Sequence, residues 1–162
     1  MDYRDTVALY GNIPVLAALD PPSRKLLAFS SSLLRFAAGQ VLFEEGAPSD
    51  AVYVITQGEV EVLIGPPGAW ARVGCLGARE LVGEMGVIMS VPRTATIRAC
   101  QAVEALRIEA DIFLRLVLGN PAASLSVMRA LSDKLHRTTQ SYKALQARLQ
   151  AVAPENDIDW IG

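Results

Sequence analysis

Short β-prone segments separated by glycine, between residues 34 and 108, constrain the fold of this chain more than any other feature. Valine, isoleucine, leucine and aromatic residues dominate these segments, and a Gly-Pro-Pro-Gly sequence at 65–68 has the composition of a hairpin loop. The predicted strands are 41–43, 51–56, 58–64, 71–76, 94–100 and 103–108. Strands this short at near-regular spacing indicate a β-sandwich or barrel.

Helical patterns precede and follow the predicted strands. Residues 13–19 form a short apolar helical segment, and Ser23 is placed to cap a second helix over 24–30. After the strands, a helical segment begins at Asp111. A long helix follows an interruption at Asn120-Pro121 and extends to about residue 150.

The long helix carries a stripe of residues at alternating spacings of three and four, which is a heptad pattern. Its members are Met128, Leu131, Leu135, Thr138, Tyr142, Leu145 and Leu149. A sustained 3.5-residue period with polar flanks favours a parallel pair of helices, so we expect a homodimer through residues 121–149. The alternative is a helix that packs this stripe on the β-rich part of its own chain.

Composition excludes several classes of protein. The chain has 162 residues, of which 51% are hydrophobic, and its net charge is -2 with no basic block that could follow a nucleic-acid backbone. No apolar run approaches the ~18 residues of a membrane span, and the N-terminus lacks a signal core. Cys75 and Cys100 have no motif spacing and are predicted to be reduced core thiols. We therefore expect a soluble, cytoplasmic protein.

Residues 83–97 contain the residues that most clearly indicate a ligand site. Their sequence is Gly-Glu-Met-Gly-Val-Ile-Met-Ser-Val-Pro-Arg-Thr-Ala-Thr-Ile. A short helix that begins at Gly83 would direct unpaired backbone N–H groups at an anion. Arg93 offers that anion a rigid fork of donors. Glu84 only accepts hydrogen bonds when ionised, so it suits a sugar hydroxyl and repels a free phosphate. A ribose joined to a phosphodiester satisfies both side chains. The alternative is a surface carboxylate and an arginine that pairs with Glu84 or Glu80.

This stretch resembles the phosphate-binding cassette of cyclic nucleotide-binding domains, whose usual form is Gly-Glu, a short apolar helix, then Arg-(Ser/Thr/Ala)-Ala. Residues 38–46 and 50–62 are similar to the opening strands of the same family. The resemblance implies a mainly β fold with helices. It is a β-roll, a double-stranded jelly-roll-like barrel, with short N-terminal helices before it and a long C-terminal helix after it. The implied domain is 1–150, with the β-roll at about 34–108 and C-terminal helices at about 111–150. Residues 151–162 follow the domain as an acidic tail.

The family's ligand contacts carry over position by position. The resemblance implies that Gly83 lets the backbone approach the ligand and that Glu84 accepts from the ribose 2′-hydroxyl. Met85 and Gly86 would offer backbone N–H groups to the phosphate, and Arg93 would bind its exocyclic oxygens.

The resemblance also implies which residues meet the base. Thr94 would place a hydroxyl beside the phosphate and purine, and Val62 and Val73 would form an apolar wall. Thr138 and Thr139 lie where the catabolite-activator (CRP/FNR) branch has two hydroxyl residues that reach the adenine amine. Cyclic AMP is therefore the expected ligand and cyclic GMP the alternative. The other role for Thr138 is to set the register of paired helices.

One turn departs from the family pattern. The family commonly has Gly-x-Gly-Asp before the cassette, whereas residues 77–80 read Gly-Ala-Arg-Glu, so Arg79 replaces a glycine that tolerates positive φ. We expect this turn to differ or to be strained. Trp70 and Trp160 are candidates for a lid on the purine, with Trp70 expected in the hairpin.

The expected function is that of a stand-alone, non-enzymatic receptor. A β-roll also serves cupin enzymes, but their metal needs several histidines and this chain has only His136, expected on an exposed helix face. No catalytic triad, metal or cofactor is expected, and the receptor would not bind nucleic acid or membrane by itself. A change in the C-terminal helix would signal to another protein. The alternatives are a cyclic GMP receptor and the truncated sensor part of a CRP/FNR-type transcriptional regulator.

Overall fold

The β-rich part of the chain forms two four-stranded antiparallel sheets within residues 3–152, which the computed structural model describes. With strands numbered in chain order, the first sheet contains β1 (Ser31–Phe36), β8 (Val103–Glu109), β3 (Ala51–Gln57) and β6 (Leu81–Val82), side by side in that order. The second sheet contains β2 (Val41–Phe43), β7 (Thr96–Ala99), β4 (Val60–Ile64) and β5 (Ala71–Leu76). The predicted β-roll is confirmed.

Apolar side chains from both sheets meet in one core. Its buried members are Ala51, Tyr53, Ile55, Val60, Val82, Ile97, Ala99, Val103 and Ala105. Residues 51–55 of β3 are all buried, because this strand lies between β8 and β6 and carries apolar side chains on both faces. The core therefore fixes the strand that leads into the functional site.

Three helices precede the sheets: α1 (Tyr3–Tyr10), α2 (Pro14–Ala17) and α3 (Pro21–Ser30). The predicted cap at Ser23 is wrong. Asp20 caps α3, and its side chain accepts a hydrogen bond of 3.1 Å from the Ser23 N–H. The helix begins before Ser23 because proline lacks an N–H and has a helical φ, which suits Pro21 and Pro22 to the first turn.

The remaining helices are α4 (Glu84–Met89), α5 (Ala110–Ile112) and α6 (Pro121–Val152), with a π-helix at Phe113–Val117. Asn120 caps α6, since its side-chain oxygen accepts from the Ala123 N–H at 3.0 Å. The π-helix was not predicted, because its apolar pattern does not distinguish it from an ordinary helical turn. No helix among residues 3–152 is both long enough and apolar enough to span a bilayer.

The chain divides into two compact units, Met1–Ser126 and Val127–Gly162. The described part of the second unit is helical to Val152. The apolar members of the heptad stripe there are mostly exposed: Met128 55%, Leu135 68%, Tyr142 59%, Leu145 55% and Leu149 62%. His136 is exposed, as predicted. Trp160 and residues 153–162 of the predicted tail lie outside the described residues.

Other sequence predictions need correction. β1 begins at Ser31, before the predicted start of the β-rich region, because its polar first residues conceal the strand. The sequence did not predict β6, because a strand of two residues is too short to show an alternating pattern. Cys75 and Cys100 are free, but the core position predicted for them is wrong, since Cys75 is only half-buried and Cys100 is exposed. Cys100 follows the end of β7, where the chain has left the core.

The turn between β5 and β6 keeps a left-handed conformation without a glycine. Arg79 has φ 74° and is exposed, and its N–H donates to the Ile55 carbonyl at 2.7 Å. The Gly77 N–H donates to the Glu80 carboxylate at 2.7 Å, and the Ile55 N–H donates to the Glu80 carbonyl at 3.1 Å. These bonds hold the turn against β3, so Arg79 bears the strain that was expected.

We expect Arg79→Gly to stabilise the protein. Relief of the left-handed strain contributes about 1–2 kcal/mol, and the larger entropy of the unfolded glycine chain offsets about 0.4–1 kcal/mol of it, so the free energy of unfolding should rise by about 0.5–1 kcal/mol. Urea denaturation measures the change. Arg79→Ala is the matched control and should gain nothing, because its Cβ keeps the strain; equal stabilisation by both variants would show that the arginine side chain, not φ, is responsible.

Candidate functional site

Gly83 is the residue on which the site is built. It joins β6 to α4, with φ 82° immediately before the first turn of α4. A Cβ at this position would lie 2.5 Å from Arg93 Nη1 and 3.2 Å from the Phe43 ring. Glycine is therefore required twice, for the left-handed backbone and for the close approach of the arginine.

Arg93 is a buried cation held by oxygen atoms. Only 3% of the residue is exposed. Its Nη1 donates to the Gly83 carbonyl at 3.1 Å, and its Nη2 donates to the Ala51 carbonyl at 2.8 Å and to Asp50 Oδ1 at 3.2 Å. The Nε atom is buried and has no hydrogen-bond partner among the described residues. The carboxylate that pairs with Arg93 is that of Asp50. The alternative from the sequence named Glu84 or Glu80 as the partner instead.

The residues around Arg93 have opposing effects on its positive charge: burial destabilises it, and Phe43 and Asp50 stabilise it. The guanidinium carbon lies 4.0 Å from the centre of the Phe43 ring, which is cation–π geometry. Burial lowers the pKa of Arg93 below its usual value, and the carboxylate of Asp50 partly offsets this effect. Arginine stays protonated in proteins, so the site contains a partly desolvated positive charge. Its Nε–H remains available as a hydrogen-bond donor.

The start of α4 is buried beside this cation. Glu84 is 2% exposed and is the first residue of the helix. Gly86 is also buried, and a Cβ there would lie 2.1 Å from Ser49 Oγ, which itself donates to the Val91 carbonyl at 2.7 Å. Met85 is 46% exposed. The loop before β3 thus packs directly on the helix that carries Glu84.

The same loop, residues 44–50, pairs with the main chain of Arg93. The Gly46 N–H donates to the Arg93 carbonyl and the Arg93 N–H donates to the Ala47 carbonyl, both at 2.8 Å. Glu45 extends the link, because its N–H donates to Thr96 Oγ1 at 2.9 Å. The backbone and the side chain of Arg93 are therefore both positioned by residues that lie more than forty positions earlier in the chain.

The other predicted ligand residues have different settings. Thr94 is exposed, Val62 is half-buried on β4, and Val73 is 55% exposed at a bulge in β5, where Val62 pairs with Gly74 and Leu63 with Arg72. Thr138 and Thr139 belong to the second unit, where their hydroxyls donate to the carbonyls of Lys134 and Leu135 at 2.9 Å. Their roles toward a ligand stay predictions.

Sequence reasoning missed Asp50, Phe43 and the Ala51 carbonyl as partners of Arg93. None belongs to the motif at 83–97, although all three lie next to or within predicted strands. A further candidate, Trp70, lies under Arg98 with 5.0 Å between the guanidinium carbon and the ring centre. Among the described residues, no group of histidine, cysteine, aspartate and glutamate side chains could hold a metal ion.

A groove of about 480 Å³ lies beside the cassette within the first unit. Its lining comes from the 44–50 loop, from α4 and the chain after it, and from the start of the C-terminal helices: Gly46, Pro48, Ser49, Gly86, Val87, Ser90, Val91, Pro92, Ala110 and Leu114. The cassette and the π-helix thus border the same open space.

Curated relatives share this region as one part of longer proteins. An uncharacterised NTE-family protein of Mycobacterium tuberculosis is 27% identical over 147 residues, which cover 90% of this chain and 24% of that protein. The cAMP-dependent protein kinase regulatory subunit of Emericella nidulans is 30% identical over 110 residues, which cover 68% of this chain and 26% of that protein. The chain spans about a quarter of the length of these relatives.

Solved structures share the fold. The sensor domain of the transcriptional regulator DNR from Pseudomonas aeruginosa has a TM-score of 0.71 at 24% identity, with 85% of this chain and 93% of that chain covered. The regulatory domain of Toxoplasma gondii PKA with cAMP has a TM-score of 0.70 at 20% identity, with coverages of 80% and 50%. A regulatory subunit of a cAMP-independent protein kinase A from Trypanosoma cruzi, bound to guanosine, has a TM-score of 0.72 at 23% identity, with coverages of 90% and 50%.

A family model gives the assignment. The model described as "Cyclic nucleotide-binding domain" matches residues 33–120, which is more than half of the chain and includes the whole cassette. The matched residues run from β1 to the end of the π-helix turn, so motif, strand order and fold agree. The chain belongs to the cyclic nucleotide-binding domain family.

Proposed function

We propose that this chain is a receptor module for a 3′,5′-cyclic nucleotide, with cyclic AMP as the preferred ligand, and that it has no catalytic activity of its own. The observation that carries the proposal is the buried Arg93 guanidinium, which has an unpartnered Nε–H and lies against Gly83 at the start of α4. A buried cation with an unused donor is a site for an anion. The helix start adds backbone N–H groups to the same site.

Glu84 favours a diester over a free phosphate. Its carboxylate is buried one residue after Gly83, and an ionised carboxylate repels a doubly charged phosphate while accepting from a hydroxyl. A cyclic phosphodiester carries one negative charge and leaves the ribose 2′-hydroxyl free. This combination agrees with the family and with the cAMP-bound Toxoplasma gondii neighbour.

The choice of base rests on the long helix. Thr138 and Thr139 supply hydroxyls at the positions where the catabolite-activator branch contacts the adenine amine, which favours cyclic AMP. A threonine at position 94 can instead contact a guanine amine, so cyclic GMP is the alternative. The neighbour bound to guanosine makes a nucleoside the second candidate class of ligand. Arg93 argues for a phosphate, since a nucleoside has no anionic group to partner a buried guanidinium.

Signalling would pass through the C-terminal helices. The groove between α4 and Leu114 gives the cassette room to move toward the π-helix when a ligand binds. Such binding would shift an existing equilibrium of these helices and alter the surface offered to another protein.

Isothermal titration with cyclic AMP, cyclic GMP, 5′-AMP and adenosine tests the ligand class. We expect cyclic AMP to bind most tightly and 5′-AMP to bind poorly, because its second phosphate charge faces Glu84. Arg93→Lys should weaken cyclic AMP binding by about 10- to 100-fold, since a charge-assisted bond contributes about 1.5–3 kcal/mol and a point charge cannot replace the fork. Equal or absent heats for all four ligands would refute the receptor proposal, and a preference for cyclic GMP would change only the base.

Glu84→Gln tests the ribose contact separately. Wild-type protein should bind 2′-deoxy-cyclic AMP about 10-fold more weakly than cyclic AMP, because a bond to a charged acceptor is lost. In Glu84→Gln the two ligands should differ by much less, since the neutral amide oxygen is a weaker acceptor. An unchanged ratio between the ligands would remove Glu84 from the site, and circular dichroism checks that the variant is folded.

We also propose that the chain forms a homodimer through the heptad stripe of α6. The stripe is 3.5-periodic, and most of its large side chains are more than half exposed in the single chain. An exposed apolar seam of this length is unfavourable in water, and a second copy would bury it.

Leu135→Glu should convert the dimer to a monomer, because a carboxylate in the seam faces its own copy in the partner. Light scattering after size-exclusion chromatography gives the mass directly. Gln140→Glu, on the opposite side of the heptad, is the matched control and should stay dimeric. A wild-type protein that is monomeric at all concentrations would contradict the dimer without affecting the ligand site.

A further inference from the structure

Phe43 brings an aromatic face to the buried cation. It is the last residue of β2 and directly precedes the 44–50 loop. The centre of its ring lies 4.0 Å from the guanidinium carbon of Arg93, and two of its ring atoms would lie 3.2 and 3.3 Å from a Cβ at Gly83. The oxygen partners of Arg93 belong to β3 and β6 of the first sheet or to residues next to them. Phe43 therefore links the second sheet to the same cation.

A bulge in β2 determines on which side of the sheet the Phe43 ring lies. Val41 pairs with Arg98 and Phe43 pairs with Ile97, so two residues along β2 match one residue along β7. Neighbouring residues of a strand face opposite sides of the sheet. The bulge thus places Phe43 on the side of Ile97, where its ring packs against the core. Bulges that redirect a side chain are frequent beside functional sites.

The ring restricts a rotation that the hydrogen bonds of Arg93 leave open. Oxygen atoms anchor Nη1 and Nη2, and the line between these two nitrogens is an axis about which the Nε edge can turn. A guanidinium donates hydrogen bonds only within its plane, and its faces stack on aromatic rings. One face against Phe43 limits the tilt of this plane. The direction of the unpartnered Nε–H is therefore set by the ring.

Tyr53 supports the Phe43 ring from the first sheet. The centres of the two rings are 5.7 Å apart and their planes are inclined by 34°, a separation at which aromatic rings attract each other. Tyr53 is buried and pairs with Val82 of β6, so its own position is fixed. Two aromatic rings thus lie where water would otherwise surround the charge of Arg93, and a lower local dielectric strengthens its attraction for an anion.

We propose that Phe43 is a positioning residue for the phosphate site and that it acts through the negative face of its ring, which sets the plane of the Arg93 guanidinium and directs the Nε–H at the phosphate. This inference rests on the proposed function. It predicts that the charge distribution of the ring, and not its size alone, controls cyclic nucleotide affinity. An ordinary core residue would contribute only its apolar volume.

A series of fluorinated phenylalanines at position 43 of the full chain tests the proposal. One, two and three fluorine atoms withdraw charge from the ring face stepwise and change the shape of the side chain little. Isothermal titration should show cyclic AMP affinity falling with each fluorine, to about threefold weaker binding for the trifluorinated ring, because a desolvated cation–π contact is large enough to supply such a loss. Phe43→Leu should lose at least as much, since it retains apolar volume without a ring face.

Two controls separate the charge of the ring from its packing. Two difluorinated isomers, one with a fluorine on the para carbon and one without, withdraw similar charge but place the added atoms differently, so they should bind cyclic AMP equally. Trifluorinated phenylalanine at Phe36 is the matched control, because Phe36 packs against the same core. Among the described residues, the cations over aromatic rings are Arg93 over Phe43 and Arg98 over Trp70. The Phe36 variant should therefore keep wild-type affinity.

The outcomes distinguish this inference from the receptor function. A wild-type protein that binds no cyclic nucleotide would overturn both. Wild-type binding with constant affinity across the fluorine series would overturn the inference alone. A loss that depends on which carbon carries the fluorine, or an equal loss in the Phe36 variant, would also overturn it, because packing would then be the cause. Urea denaturation checks the fold of each variant, and if Phe43→Leu is unfolded, the fluorine series decides the question.

Discussion

The burial of one positive charge organises the rest of this site. Arg93 has lost nearly all contact with water, and such a charge is tolerated only where oxygen atoms replace the solvent. Two main-chain carbonyls and one carboxylate provide that replacement, from Gly83, Ala51 and Asp50. Each belongs to a different element of the fold. The arginine therefore ties together the end of β6, the start of β3 and the loop before it.

Glycine makes this arrangement possible at close range. The backbone at Gly83 approaches Arg93 and Phe43 so closely that no side chain fits, and Gly86 approaches Ser49 in the same way. Both glycines lie in the cassette, one on each side of Glu84 and Met85. The motif is thus a packing requirement as well as a set of ligand contacts, which is why its spacing is so restrictive.

The sequence was most informative where chemistry is local. Gly83, Glu84 and Arg93 could be identified because their residue types and spacing suit an anion beside a hydroxyl, and strands such as β2 and β5 were found with their observed bounds. The missing parts are non-local or weak in pattern. Asp50 lies 43 residues before Arg93, so no window of sequence shows the pair. Ser31 and Ser32 conceal the start of β1, and Asp20 displaced Ser23 as a cap because two prolines fit the first helical turn.

The π-helix has a consequence for everything that follows it. A turn closed between residues five apart, as between Phe113 and Leu118, contains one residue more than an ordinary helical turn. If this turn adopted ordinary α-helical hydrogen bonds, the extra residue would add about 1.5 Å to the length of the helix. The residues that follow would rotate by about 100° about the helix axis. The hydrogen-bond register of this one turn therefore determines which side chains of residues 118–126 face solvent and which face the core.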